Sequence, residues 1–239
     1  MHDLVKWMDR VAYPGFGDNW DDEALRREIL AVIRPEHVVL DLGAGAGVVA
    51  QMNFKGRAAK VCGVDLDTRV MTNPYLDEAK IGAGEAIPYA DATFDLIFSD
   101  NVLEHLADPA TVLREACRVL KPGGLYLAKT PNRWHYMPVI AQLTPHKFHR
   151  FIKSLMGMTS EDTFPTLYRA NTPAAIRRHA SQTRLRVESI KLLEGRPEYL
   201  RMSFPTYVAG YCYERLVNLL PIQALRILLI VRLQKPTTT

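Results

Sequence analysis

The stretch "VLDLGAGAG", residues 39–47, decides the fold. Val39, Leu40 and Leu42 surround an aspartate, and then Gly43, Gly45 and Gly47 alternate with alanines. A short apolar run broken by glycines reads as a buried strand that ends in a tight backbone turn. Glycine permits unusual backbone angles and lets a ligand approach the main chain. The pattern predicts a helix next, over residues 46–53, with its first N–H groups facing whatever binds.

Working outward, "AKVCGVD" (59–65) reads as a second strand ending in Asp65. An acid there can accept both hydroxyls of a ribose, so the expected ligand contains a nucleoside. "AKIGAGEAIPYAD" (79–91) holds a third strand and a loop, and "FDLIFSD" (94–100) is a fourth strand ending in an acid. "PATVLREACRVLKPGG" (109–124) is an amphipathic helix stopped near Gly123, and "GLYLAKT" (124–130) is a fifth strand. A helix over 22–34, with Asp21 or Asp22 as its N-cap, precedes them all. Strands alternating with helices imply right-handed crossovers and a parallel sheet covered on both faces.

The alternation stops after Pro131. Residues 131–170 are rich in aromatic, basic and histidine residues and predict two short helices. A helix resumes over 171–182, capped by Asn171 or Thr172 with Pro173 in its first turn. "LRVESIKLL" (185–193) and "YLRMSF" (199–204) read as a last pair of strands, one of them antiparallel. "VAGYCYERLVNLL" and "PIQALRILLIVRLQK" read as two apolar helices split by Pro221. The expected fold class is α/β, with a seven-stranded, mostly parallel sheet and a helical cap insertion. The expected organisation is one domain over 1–239: a cofactor-binding core (21–130), a substrate lid (131–170), and C-terminal strands and helices (171–239).

A chain of 239 residues, 48% hydrophobic, can bury a sizeable core. The net charge of +4 is too small to point to nucleic acid, although "HKFHRFIK" (146–153), "RRH" (177–179) and "RLR" (184–186) make the C-terminal half more basic. Cys62, Cys117 and Cys212 lack metal-ligand spacing and read as reduced residues in or near the core, which implies a reducing, cytoplasmic compartment. "MHDLVKWMDR" has no signal-peptide core, and no apolar run is long enough to span a bilayer.

The dinucleotide fingerprint Gly-x-Gly-x-x-Gly would need glycine at residue 48, which is Val48. The Gly-x-Gly-x-Gly spacing, with Asp41 ahead of it, resembles motif I of the class I S-adenosylmethionine (SAM)-dependent methyltransferases. "GVDLD", "GEAIPYADATFDLIFSDNVLEHL" and "VLKPGGLYLAKTPN" follow in that family's order, so the resemblance covers residues 36–132. It is to the broad bacterial branch that holds ubiquinone-pathway and polysaccharide- or sugar-associated methyltransferases. The resemblance implies a Rossmann-like sheet and S-adenosyl-L-methionine as cofactor. By position, Asp41, Gly43, Ala44, Gly45 and Gly47 would surround the methionine moiety. Asp65 would hold the ribose and Leu66 would pack on adenine. Glu85 and Ala86 would flank that ring, and Asp100 or Asn101 would line the methyl-donor pocket. Tyr13 or Trp20, in the loop "AYPGFGDNW" (12–20), would close over the cofactor.

Methyl transfer from a sulfonium needs an aligned nucleophile, and an alcohol also benefits from a base. His105 follows the fourth strand and is the candidate base; a structural histidine is the alternative. Some relatives bind a divalent metal through Glu-x-x-Glu-His. Here Asn101 replaces the first carboxylate ahead of Glu104 and His105, so no metal is assigned, and His135, His146 or His149 would have to complete a shell. In the lid, Arg133, His135, Tyr136, Tyr168 and Arg169 suit a sugar or aromatic acceptor with an anionic group. The function implied is O-methylation of a hydroxyl on a glycan, glycolipid or small secondary metabolite. An inactive SAM-binding protein and an NAD(P)-dependent oxidoreductase are the alternatives. The C-terminal helix would pack on its own domain, form a homodimer, or make a peripheral membrane contact.

Overall fold

The computed structural model describes residues 2–143, 165–220 and 222–237. Seven strands form one sheet: β1 (Val38–Leu42), β2 (Lys60–Asp65), β3 (Glu78–Ile81), β4 (Phe94–Asp100), β5 (Leu120–Pro131), β6 (Arg186–Leu193) and β7 (Leu228–Gln234). Their order across the sheet is β3-β2-β1-β4-β5-β7-β6. β1 pairs in parallel with β2 and β4, β2 with β3, and β4 with β5. β7 runs antiparallel to β5: Asn132 N–H donates to Ile227 at one end, while Gly123 N–H reaches Lys235 and Lys235 N–H reaches Gly124 at the other. The helices are α1 (His2–Ala12), α2 (Trp20–Leu30), α3 (Pro109–Val119), α4 (Tyr136–Leu143), α5 (Pro173–Ala180) and α6 (Phe204–Leu219).

The chain divides into two compact units. One comprises 21–130, 166–191 and 229–239 and carries nearly all of the sheet. Leu25 and Ile29 of α2 are fully buried there with Val39, Phe54 and Phe98, which explains the helical stripe read in the sequence. Asp108 caps α3 by accepting from Ala110 and Thr111 N–H, and Thr172 caps α5 by accepting from Ala175 N–H. The other unit comprises 1–20, 131–165 and 192–228. Val5, Met8, Tyr13 and Tyr207 form its apolar cluster. Its buried Arg196 donates to Asp18, Glu198 and the Gly17 carbonyl and pairs with Asp9, tying the N-terminal segment to residues 196–198.

Four expectations are corrected. The helix over 46–53 is replaced by a loop and a single 3-10 turn, Ala50–Met52. "YLRMSF" is no strand: Glu198–Leu200 is a 3-10 turn, and Ser203 opens α6 with a capping box to Thr206. The last strand is instead β7, in the stretch read as the final apolar helix. Leu228, Leu229, Ile230 and Val231 are all buried, as in an interior strand packed on both faces, so the segment over 228–234 is a strand and not the expected helix. Cys212, placed near the core by sequence, is exposed on α6. Among the described residues no helix is long and apolar enough to cross a membrane.

Candidate functional site

The glycine loop leaves β1 at Leu42 and turns over the end of β2. Gly43 and Ala44 N–H donate to the Val64 carbonyl, and Gly45 N–H donates to Asp65 Oδ2 at 2.8 Å. Gly43 has φ +85°, and a Cβ there would lie 2.3 Å from Val102 Cγ2. Gly47 has φ +71°, and its Cβ would lie 2.2 Å from Asn73 Oδ1. Both positions require glycine for conformation and for space. Gly45 differs: a Cβ there meets nothing nearer than Asp65 Oδ2 at 4.0 Å, so its surroundings stay open to a ligand. Buried Asn73 holds the loop from below, donating to Ala44 O (2.9 Å) and Gly45 O (3.3 Å). Asn73 stands in for the missing helix as the loop's support, a role the sequence reading missed.

Three carboxylates gather at the carboxyl edge of the sheet. In register, Asp41 of β1 faces Gly63 of β2 and Phe98 of β4. Asp65 and Asp100 each lie two residues further along the flanking strands, about 7 Å toward the edge. Burial, and then the charges of Asp100 and Asp65, hold the Asp41 carboxyl well above its usual range. Burial also pushes Asp100 up to about 6, against the opposing pull of Lys129. Asp65 accepts from Gly45 N–H on one oxygen and from Asp67 N–H on the other, which leaves lone pairs on both.

Lys129 is the counter-cation. Its side chain is fully buried and pairs with Asp21 (2.9 Å), Asp22 and Asp100 Oδ1 (2.9 Å). Burial opposes its charge, but Asp100, Asp21 and Asp22 outweigh burial and hold the ammonium above its usual range. Asp21 and Asp22 therefore serve Lys129 from the first turn of α2 instead of capping it. None of this was expected, although the signal was present. Lysine is almost never fully buried unless paired, and "GLYLAKT" places one inside an apolar strand.

Glu104 and His105 follow β4. Glu104 is buried and accepts from Thr130 Oγ1 at 2.7 Å, and Asn171 donates to the same hydroxyl at 2.7 Å. Burial holds the Glu104 carboxyl above its usual range, against that hydrogen bond. The Glu104 carbonyl accepts from Leu167 and Tyr168 N–H, so residues 167–171 dock beside the β4–α3 loop. His105 is half-buried and its N–H donates to Val102 O. Asn101 is exposed with φ +53°, a left-handed conformation that is uncommon outside glycine and here sits at the strand end. Among the described residues no group of three His, Cys, Asp or Glu side chains is arranged to hold a metal. His146 and His149 lie outside the described residues.

Leu66 is 63% exposed beside Asp65, and Val48 is 84% exposed beside Gly47, two apolar surfaces next to the loop. Glu85 and Ala86 are exposed in the loop after β3. The acceptor residues separate. Tyr168 and Arg169 belong to the sheet-bearing unit, where Arg169 Nη1 donates to Ala107 O at 2.6 Å and Tyr168 takes φ +51°. Arg133, His135 and Tyr136 belong to the other unit. There Arg133 lies over the exposed Trp134 ring at 5.9 Å. His135 is buried, 3.5 Å from Glu194 and 4.0 Å from the Tyr136 ring. Tyr13 and Trp20, proposed to close over the cofactor, have partners in that same unit: Tyr13 is buried and donates to Glu214, and the Trp20 indole covers Gly195.

A family model described as "Methyltransferase domain" matches residues 40–128, from β1 into β5. The ubiquinone biosynthesis O-methyltransferase of Pseudomonas paraeruginosa is 32% identical over 167 residues, 60% of this chain and 68% of that protein. The chain belongs to the class I S-adenosylmethionine-dependent methyltransferases. A probable S-adenosylmethionine-dependent methyltransferase of Mycolicibacterium smegmatis is 35% identical over 105 residues, but the match spans only 42% of this methyltransferase and 40% of the mycobacterial protein. The fold is shared with the YcgJ protein of Bacillus subtilis, at a TM-score of 0.56 and 18% identity over 90% of this chain and 98% of that one. Geranyl diphosphate methyltransferase, solved with GPP and sinefungin, matches equally well in fold, at a TM-score of 0.56 and 18% identity, covering 90% of this chain and 76% of that one.

The family's cofactor is S-adenosylmethionine, and the residues present suit it. Burial raises Asp41 first and the charges of Asp100 and Asp65 add to it, so an added cation would relieve that second part. Asp65 keeps acceptor capacity for a ribose, Gly45 leaves space, and Leu66 offers an apolar face.

Proposed function

We propose that this methyltransferase methylates a hydroxyl of a small-molecule acceptor. The observation that carries the reading is the carboxyl edge itself: an open glycine loop closed by Asp65, with Asp41 and Asp100 behind it. S-adenosylmethionine supplies a methyl group already activated on a sulfonium. Asp65 would hold the ribose hydroxyls. Asp100, fixed by Lys129, would keep negative charge near the cationic donor. The glycine loop would fix the methionine portion by its backbone, with Asp41 beneath it.

On the acceptor side, His105, just past the carboxyl end of β4, is the base that would take the hydroxyl proton. Tyr168 and Arg169, both in the sheet-bearing unit, would hold the acceptor. Hydroxyl methylation is favoured over amine methylation by how far the relatives match. The Pseudomonas ubiquinone biosynthesis O-methyltransferase aligns over 68% of its length. A sarcosine/dimethylglycine N-methyltransferase of Halorhodospira halochloris, 35% identical over 107 residues, aligns over 38%. A glycan, glycolipid or secondary metabolite fits the polar and aromatic acceptor residues.

The test is methyl transfer from labelled SAM to a panel of phenols, glycans and amines, read by mass spectrometry. With the acceptor found, His105→Ala should lower turnover about 10²–10⁴-fold and leave SAM affinity unchanged. Near-normal turnover in that variant refutes the base, and labelling of amines alone refutes O-methylation.

A further inference from the structure

At the amino edge of the sheet, opposite Asp41 and Asp100, lies a cavity of about 590 Å³. That is a common size for a small-molecule site. Val32, Ile33 and Leu125 give it apolar walls. Arg34, Lys121, Arg232 and His37 also line it, with Asp95 as the one carboxylate. Three fixed cations against one carboxylate leave two positive charges in excess, before any on His37. Lys121 and Asp95 satisfy each other at 2.7 Å, and Asp95 also accepts from Val38 N–H. The excess therefore resides on the two arginines.

Arg232 Nε and His37 Nδ1 are buried and have no hydrogen-bond partner among the described residues, and both side chains line this cavity. These two atoms are themselves shielded from the cavity, so they show only that neither side chain is tied to the protein at that nitrogen. A guanidinium matches the planar, paired oxygens of a carboxylate or phosphate. Apolar walls beside it select an anion that carries a hydrophobic body over a bare inorganic ion.

We propose that this cavity is a second ligand site, independent of the glycine loop, for a small organic anion: a carboxylate or phosphate on an apolar body. β1 and β4 begin beside it, at His37 and Asp95, and end at the other edge in Asp41 and Asp100. The two sites therefore lie at opposite ends of the same strands.

The test is calorimetric titration at pH 8 and low salt with phenyl phosphate, benzoate and inorganic phosphate. Phenyl phosphate or benzoate should bind saturably at one site. Arg232→Gln should weaken that binding tenfold or more, and Ala31→Trp, which fills the cavity from its rim, should abolish it. Circular dichroism and the unfolding midpoint check that each variant is folded. If Arg232→Gln fails that check, Arg34→Gln at the exposed rim takes its place with the same expected loss. No saturable binding of either organic anion overturns the proposal, as does binding that survives unchanged in folded arginine variants and in Ala31→Trp. Inorganic phosphate binding as tightly as phenyl phosphate overturns the apolar part of the assignment.

Discussion

Lys129→Met tests the charge arrangement behind the glycine loop most directly. The substitution keeps the length of the side chain and removes the ammonium that Asp21, Asp22 and Asp100 share. Asp21 is 37% exposed and stays partly solvated, so its loss is small. Asp22 and Asp100 are each only 14% exposed and are left as buried, uncompensated carboxylates. Removing one partner of a buried pair costs about 3–5 kcal/mol. Asp100 limits the damage by taking up a proton, since burial already pushes it to about 6 and the opposing pull of Lys129 is gone. A carboxyl whose pKa is raised in the folded state binds more protons folded than unfolded, so it favours folding at low pH and loses that contribution as pH rises through the folded value. The variant's deficit should therefore be about 3–5 kcal/mol at pH 8. It should shrink by about 1–2 kcal/mol on going to pH 6, because one pKa unit corresponds to about 1.4 kcal/mol. Urea unfolding followed by circular dichroism at both pH values measures this. A loss under about 1 kcal/mol, or a deficit that does not change with pH, refutes the ion-pair reasoning.

Asp65→Ala should weaken S-adenosylhomocysteine binding by about 1.5–3 kcal/mol in calorimetry, because it removes a charged acceptor and frees Gly45 N–H; unchanged affinity removes Asp65 from the site. Gly43→Ala should destabilise by about 1–3 kcal/mol in urea unfolding, since its Cβ would meet Val102 Cγ2 at 2.3 Å. Adding Val102→Ala should recover part of that loss, and the strain of φ +85° should keep the rest. Glu104→Gln should cost under about 1 kcal/mol, because its amide oxygen still accepts from Thr130, whereas Glu104→Ala should cost about 1–3 kcal/mol for the orphaned hydroxyl; equal losses in the two would show that the charge, and not the hydrogen bond, matters.

How much was legible follows from how each segment meets its neighbours. β1, β2 and β4 bury both faces, so each is a short apolar run, and their terminal acids were readable as site candidates. β7 buries both faces too, and there the same property misled: "LLIVRL" has no period that separates a strand from a buried helix. Length separates the two, because β7 takes only seven residues, Leu228–Gln234, which is a strand's length and short for a helix. The start of α6 was readable as well: Ser203, Pro205 and Thr206 are the elements of a helix N-terminus, and were passed over in favour of the preceding "YLRM". The failure at 46–53 is of another kind. Val48, Val49 and Asn53 are weak helix formers, and what fixes the loop is Asn73, some 30 residues away and joined to it only by the fold. The charges divide in the same way. Asp41, Asp65 and Asp100 announce themselves because an acid that ends an apolar strand is conspicuous. Lys129 is nearly as conspicuous, yet its meaning depends on Asp21 and Asp22, more than 100 residues earlier in the chain. What sequence supplies is the negative edge. What folding adds is one buried ammonium, Lys129, which pairs with Asp100 and holds that part of the edge in place.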